Sequence, residues 1–195
     1  GAFCSFDGHV HGPSGGAGGS GSAGCGCLCA VGFPFLSPAG LACDSAPFSG
    51  VGGGGVVDGR TLLAVLSLGA SGAIVGTRLL LTEESPIHPR LKQALVDATE
   101  LDTDVVMRSV GFAHRVWMNE PAKKAQEIEA KGGGIEALYP YVSGAAAKRM
   151  FETGDLQAGT ISCSQAVGLI KEIKPIRETL LEMVDQAKQI QARLG

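Results

Sequence analysis

Residues 1–50 contain no Lys, Arg, Glu, Gln, Asn, Thr, Ile, Met, Trp or Tyr. The same segment nevertheless holds five of the six cysteines and five of the seven phenylalanines. A folded domain normally covers its surface with charged and amide side chains, so the packing of a domain does not explain why so many amino-acid types are missing. We therefore expect residues 1–50 to be an anomalous Gly/Cys/Ser-rich segment, either disordered or read from a wrong frame or a retained intron. Residues 51–195 are expected to form the evolved domain.

The cysteines of this segment lack the spacing of a metal site. Between Cys25 and Cys29 they alternate with single residues, whereas structural zinc sites use longer spacers and a second ligand cluster. The apolar stretch from Cys25 to Cys43 contains two prolines and has no basic flank, which disfavours a transmembrane or signal segment. A flexible linker would explain residues 12–24 but not the cysteines that follow. We predict no metal site.

The whole chain lacks an excess of either charge. Its 16 basic and 19 acidic residues give a net charge of −3. This balance disfavours a nucleic-acid or membrane partner, because such partners attract clustered basic residues. We expect a cytoplasmic protein without a nucleic-acid or membrane partner. Its 195 residues are fewer than the roughly 250 of a complete (β/α)₈ barrel.

From Val51 onward, short apolar runs alternate with helical patterns. Val51 ends a short buried strand, and Asp58 suits the N-cap of a helix over Arg60–Leu68. The uniformly apolar Gly72–Val75 predicts a second strand that is buried on both faces, and Arg78–Leu81 begins a further helical turn. This repeated strand–turn–helix order predicts a parallel α/β architecture.

The rest of the chain has mostly helical patterns. Pro89 suits the first turn of a helix that runs to about Thr99, and Asp104–Val110 has the β-branched content of a strand. Val116–Lys131 has a helical pattern, which Pro121 moves toward a later start. Further helices are predicted over Gly144–Glu152, over Gln165–Ile170, and from Pro175 with an apolar face of Ile176, Leu180, Val184, Ala187 and Leu194.

Two glycine turns lie one βα unit apart, at Gly54–Gly55 and at Gly76–Thr77. Glycine leaves backbone N–H groups uncovered, so such turns after neighbouring strands suit an anion. In (β/α)₈ barrels a phosphate is commonly bound by the loops after the seventh and eighth strands. Either turn alone is an ordinary tight turn, and only their spacing predicts a phosphate site.

Four short motifs follow one another from the first glycine turn into the next connector. They are Gly54–Arg60 (GGVVDGR), Ser67–Gly72 (SLGASG), Val75–Arg78 (VGTR) and Thr82–Ser85 (TEES). In this order and spacing the chain resembles the nitronate monooxygenases, formerly called 2-nitropropane dioxygenases, which are FMN-dependent TIM-barrel enzymes. The resemblance implies an α/β fold, namely the C-terminal part of a TIM (β/α)₈ barrel with an appended helical segment.

Two later segments extend the resemblance. Met107–Val110 followed by Arg115–Asn119 resembles the family segment that carries an Arg and Asn pair. Ser162–Gln165 followed by Val167–Leu169 resembles the family's late Gly-Gln-x-x-Gly-Leu motif, with Ser164 where glycine is usual.

The resemblance implies an FMN cofactor whose phosphate is bound by Gly54, Gly55, Ile74, Val75, Gly76 and Thr77. The family usually has Gln where this chain has Ile74, so a side-chain hydrogen bond is lost there while backbone contacts remain. Asp58 is expected to cap a helix, since a carboxylate beside a phosphate would repel it. Arg60 and Arg78 are expected at the surface or behind the site.

The family's reaction is flavin oxidation of an alkyl nitronate or nitroalkane, with O₂ reoxidising the flavin. Members that act on neutral nitroalkanes use a His in a Gly-x-Glu-Ala-Gly-Gly-His segment, which this chain lacks. His9 and His11 have the wrong neighbours for that role. His88 and His114 suit solvated or structural roles, and Cys163 suits a small buried residue. No catalytic residue is assigned, and we expect the 195-residue chain itself to be an inactive fragment.

Two other functions fit the same glycine turns. An FMN-dependent enoyl reductase resembles this family in fold and turns, and NAD(P)H-dependent reduction in place of nitrite release would identify it. A non-enzymatic remnant that binds a phosphate ligand would lack flavin absorbance when purified.

Overall fold

A computed structural model describes residues 50–195 together with the strand Cys27–Cys29. The chain divides into two compact units. The first unit contains the described residues up to Val75 and the C-terminal Leu180–Gly195, and the second unit is Gly76–Thr179. Apart from Cys27–Cys29 and Gly50, the segment 1–50 that was predicted to be anomalous lies outside the described residues.

The first unit contains a parallel sheet of three short strands in the order β1-β2-β3. These strands are β1 (Cys27–Cys29), β2 (Val51–Gly53) and β3 (Gly72–Ile74). The predicted parallel α/β arrangement of the last two strands is confirmed, with Val51 opposite Gly72. The predicted burial of the last strand on both faces is wrong, because Ile74 is 45% exposed. Among the described residues β3 is an edge strand, because it pairs only with β2.

Helix α1 (Gly59–Ser67) joins β2 to β3 and begins at the predicted cap. The Asp58 carboxylate accepts a hydrogen bond from the Thr61 N–H at 2.9 Å, and Thr61 closes a capping box with the Asp58 backbone. Gly69 follows the helix with a φ of 93°, as expected for a residue after a helix C-cap.

The C-terminal helix α7 (Ile176–Leu194) approaches the start of α1 closely. A Cβ atom on Gly59 would lie 2.5 Å from the Ala187 nitrogen and the Met183 oxygen, so glycine is required there. The predicted apolar face of α7 is wrong in part, since Leu180 and Val184 are exposed. The buried positions of α7 within this unit are Met183 and Ala187, because the close approach at Gly59 selects that face.

The second unit is mainly helical, with one antiparallel strand pair. Its elements are α2 (Thr77–Leu80), α3 (Pro89–Asp97), β4 (Thr103–Val106), β5 (His114–Trp117), α4 (Glu120–Ala130), α5 (Ile135–Val142) and α6 (Gly144–Thr153). Single 3₁₀ turns lie at Glu100–Asp102 and Gln165–Leu169. Strands β4 and β5 pair with Thr103 opposite Trp117.

The strand β5 corrects one sequence prediction and confirms another. Val116 and Trp117 were expected in a helix but form the second strand of the antiparallel pair. Helix α4 begins only at Glu120, consistent with the later start that Pro121 indicates. Helix α5 was not predicted, because Pro140 inside it reads as a helix breaker.

The core of the second unit lies between the antiparallel strands and helices α4 and α5. Its buried members are Val106, Met107, Val116, Ala122, Ala125 and Leu138. Among the residues that the structure describes, no helix combines the length and apolar content needed to cross a membrane.

Candidate phosphate site

The first glycine turn leaves β2 with its backbone open. Gly54 and Gly55 have φ angles of 95° and 76°, a region that favours glycine. A Cβ atom on Gly55 would meet no other atom within 4 Å. Because Gly53 pairs in parallel with Ile74, the carboxyl ends of β2 and β3 lie side by side. Gly54, which follows β2, and Val75, which follows β3, therefore leave the sheet at the same end.

The second glycine turn begins the second unit. Gly76 is exposed, and a Cβ atom on it would also meet nothing within 4 Å. Its carbonyl accepts the Leu79 N–H at 2.9 Å, so the turn leads directly into α2. Thr77 is half-buried at the first position of that helix. The second turn thus combines an open backbone with a hydroxyl group.

The late motif contacts this second turn. The Ser164 N–H donates to Thr77 Oγ1 at 3.0 Å, although the two residues are 87 positions apart. Ser164 Oγ is buried and is the single side-chain N or O atom found without a hydrogen-bond partner among the buried ones of the described residues. The sequence indicated Ser164 only as a departure from the usual glycine. Its contact with Thr77 has no local sequence signal.

Arg78 is buried rather than at the surface, which corrects the first of the two roles expected for it. Its side chain is 6% exposed and donates to the carbonyl groups of Leu81 and Glu172 at 3.1 Å. It also donates to Thr179 Oγ1 at 3.2 Å. The guanidinium therefore joins the end of α2 to the start of α7 within the second unit, because its planar fork of donors reaches several acceptors.

Arg60 is exposed at the surface, which is one of the two positions expected for it. It forms an ion pair with Asp58, whose carboxylate also caps α1. Burial acts to raise the pKa of Asp58, but hydrogen bonds from Thr61 and Arg60 outweigh it and lower the pKa below its usual value. Asp58 is thus engaged with its own helix, which is the role that the sequence predicted.

The described histidines have structural contacts. His88 caps α3, where its Nδ1 accepts the Arg90 N–H at 3.1 Å. His114 lies in β5 with its Nδ1 3.0 Å from the Phe112 carbonyl oxygen. His9 and His11 fall outside the described residues. Cys163 is a buried free thiol, and burial raises its pKa to about 12, so it is a neutral apolar group near pH 7 as predicted.

The Arg and Asn pair of the middle segment holds neighbouring chain segments together. Arg115 donates to the Thr103 carbonyl at 2.8 Å across the antiparallel strands. Asn119 caps α4 and donates to the carbonyl groups of Leu156 and Gly159, each at 2.7 Å. Both side chains are therefore committed to backbone partners within the second unit.

Comparison with known proteins assigns a family to this chain. A family model described as nitronate monooxygenase matches residues 48–186. The probable nitronate monooxygenase of Bacillus subtilis is 32% identical over 112 residues, which are 57% of this chain and 30% of that protein. A Mycobacterium tuberculosis protein named as a 5-hydroxy-7a-methyl-1-oxo-octahydro-1H-indene-4-carboxyl-CoA dehydrogenase is 36% identical over 88 residues, or 45% of this chain and 25% of that protein.

Solved structures give a longer match. FabK from Thermotoga maritima superposes with a TM-score of 0.78 at 28% identity, covering 86% of this chain and 56% of FabK. The chain thus spans less than a third of the two curated relatives and about half of FabK.

Proposed function

The chain belongs to the nitronate monooxygenase family, and from this premise we propose that it carries the flavin-phosphate site of an FMN-dependent oxidoreductase. The proposed substrate is an alkyl nitronate or nitroalkane, with O₂ as the electron acceptor. The observation that carries the proposal is the pair of glycine turns, each with an open Cα side, that follow two adjacent parallel strands. The proposed fold of the whole enzyme is a (β/α)₈ barrel, in which such turns commonly bind phosphate.

The residues of the two turns fit a phosphate group. The open sides of Gly55 and Gly76 let an anion approach the backbone N–H groups, which a side chain would block. Gly54 holds the first turn, and the Thr77 hydroxyl adds a donor. Val75 and Ile74 would contribute backbone groups only, since neither side chain can donate a hydrogen bond. When bound, FMN supplies the electron transfer, while these residues bind and orient it.

Substitution of Gly55 tests the phosphate contact. Gly55→Asp places a carboxylate where the phosphate would lie, and two like charges about 4 Å apart repel by roughly 1 kcal/mol in water and roughly 4 kcal/mol near a protein surface. We expect FMN affinity to fall by about fivefold to about a thousandfold, measured by titration of flavin fluorescence.

Gly132→Asp is the matched control. Gly132 has the same φ of 76° and the same absence of atoms within 4 Å, but it lies between α4 and α5. Both variants therefore place a side chain at the same positive φ, whereas only Gly55→Asp affects the proposed site. Equal FMN affinity in both variants would contradict the phosphate contact at Gly55.

The substrate is tested by product analysis. A preformed alkyl nitronate needs no catalytic base, so FMN-dependent nitrite release from it tests flavin oxidation directly. NAD(P)H-dependent reduction of an enoyl substrate without nitrite release would instead support the enoyl-reductase alternative. We expect the 195-residue chain alone to release no nitrite, because the three parallel strands among the described residues form an open sheet and cannot surround a flavin ring. Nitrite release by this chain would contradict that expectation.

A further inference from the structure

Ser164 carries a buried hydroxyl group that the rest of the described chain does not use. Its Oγ atom has no hydrogen-bond partner, whereas its backbone carbonyl accepts the Val167 N–H at 3.0 Å. Buried hydroxyl groups in native proteins nearly always have a partner. The hydroxyl therefore indicates a ligand or another group that is not part of the described chain.

The position of Ser164 places it beside the second glycine turn. Its N–H donates to Thr77 Oγ1 at 3.0 Å, and Thr77 directly follows the open Gly76. A threonine hydroxyl that accepts one hydrogen bond still has its own proton to donate. The Ser164 N–H thus occupies one acceptor site of the Thr77 oxygen and leaves the Thr77 O–H proton available for another acceptor. Two hydroxyl donors are therefore associated with the second glycine turn.

We propose that Ser164 binds the flavin phosphate through its Oγ and positions the Thr77 hydroxyl toward the same phosphate through its N–H. This inference rests on the proposed function, and it adds a contact that the usual glycine at this position cannot make. A phosphate oxygen accepts several hydrogen bonds, and an O–H donor to a charged acceptor forms a stronger bond than one to a neutral acceptor.

The experiment compares FMN with riboflavin, which lacks the phosphate. Ser164→Ala should weaken FMN binding by about tenfold, the effect typical of losing one hydrogen bond to a charged group, and leave riboflavin binding unchanged. Ser164→Gly should behave in the same way, because it also lacks the hydroxyl. Ser162→Ala is the matched control, since Ser162 lies in the same segment but is exposed. Its FMN affinity should equal that of the unmodified protein.

Thermal unfolding without flavin separates a binding role from a structural one. Removing a hydroxyl that has no partner in the protein should not lower the melting temperature of Ser164→Ala. A lower melting temperature, or an equal loss of FMN and riboflavin affinity, would show a structural role and overturn the inference.

Positioning of Thr77 has its own readout. Thr77→Val should lower the preference for FMN over riboflavin, and Thr77→Ser should restore it because serine keeps the hydroxyl. If Gly55→Asp lowers FMN affinity while Ser164→Ala and Thr77→Val do not, the inference fails and the proposed function stands. If the unmodified protein binds FMN and riboflavin equally, the phosphate site itself is refuted and the role of Ser164 with it.

Discussion

The described residues of the two units differ in how completely they bury their side chains. The ten largest fully buried side chains of the described residues all lie in Gly76–Thr179, among them Leu91 and Leu138. In the first unit, Ile74 and Leu66 are 45% and 40% exposed. Yet the strongest family motif begins in the first unit. The motifs that carry the family resemblance thus begin among described residues that bury few side chains, whereas the largest buried side chains lie in the second unit.

The two arginines near the glycine turns show the same difference. Arg60 pairs with a single carboxylate at the surface of the first unit, whereas Arg78 donates to three backbone or hydroxyl acceptors inside the second. An exposed ion pair contributes little to stability. Removal of a buried donor, in contrast, leaves its acceptors without a hydrogen bond, which is costly. We therefore expect Arg60 to contribute little to stability and Arg78 to stabilise the second unit.

Truncation of one leucine in each unit gives the largest expected difference. Leu91→Ala removes a fully buried side chain and should lower the free energy of unfolding by about 3 to 4 kcal/mol. Leu66→Ala removes an exposed one and should cost less than about 1 kcal/mol. Urea denaturation followed by the fluorescence of Trp117, the single tryptophan, and by circular dichroism measures both. Equal losses would refute the difference in packing.

Replacement of the two arginines should give a smaller difference. Arg78→Met leaves the Leu81 and Glu172 carbonyl groups without their donor and should cost about 2 kcal/mol of unfolding free energy. Arg60→Met should cost less than about 0.5 kcal/mol. The same urea titrations measure both variants. An Arg78→Met protein as stable as Arg60→Met would show that the buried hydrogen bonds of Arg78 do not stabilise the second unit.

The smallest expected effect is the loss of stability in acid that comes from one carboxylate in each unit, Glu129 and Asp58. Burial acts to raise the pKa of Glu129, but hydrogen bonds from Ser109 and Met107 outweigh it and lower the pKa, as Thr61 and Arg60 do for Asp58. A lowered folded-state pKa gives stability that is present above the ordinary pKa of the carboxyl group and lost as the pH falls through the folded value.

Variants that keep the shape of each carboxyl group measure this contribution. Because solvent screens these partly exposed carboxylates, Glu129→Gln and Asp58→Asn should each reduce the loss of unfolding free energy between pH 7 and pH 3 by less than about 1 kcal/mol. Urea midpoints at the two pH values measure that loss. An unchanged acid-induced loss in either variant would show that its carboxylate does not contribute.

Much of the local structure could be predicted because it depends on neighbouring residues. Asp58 as a helix cap follows from contacts within four positions. Pro89 at the start of α3 follows from its fixed φ. The face of α7 was mispredicted in part, since Leu180 and Met183 are both apolar and only the close approach at Gly59 distinguishes them.

The candidate site was predictable in the same local sense. The sequence indicated the glycine turns. The positive φ angles of Gly54 and Gly55 agree with the first turn, and Gly55 and Gly76 both have open Cα sides. The contacts of these residues with a phosphate stay a prediction. The buried hydroxyl of Ser164 was not predictable, because a serine in a polar segment is usually exposed.

The sequence by itself determined the strand–turn–helix order from Val51 to Leu81, the Asp58 cap and the two glycine turns, because each depends on dihedral preferences or on hydrogen bonds that span a few residues. Only the tertiary structure decided that Arg78 is buried against Glu172 and Thr179, and that Ser164 contacts Thr77. These pairs lie 87 to 101 positions apart, and no local pattern encodes such a distance. Packing of distant segments fixed them, because buried donors must find the acceptors that the fold brings near.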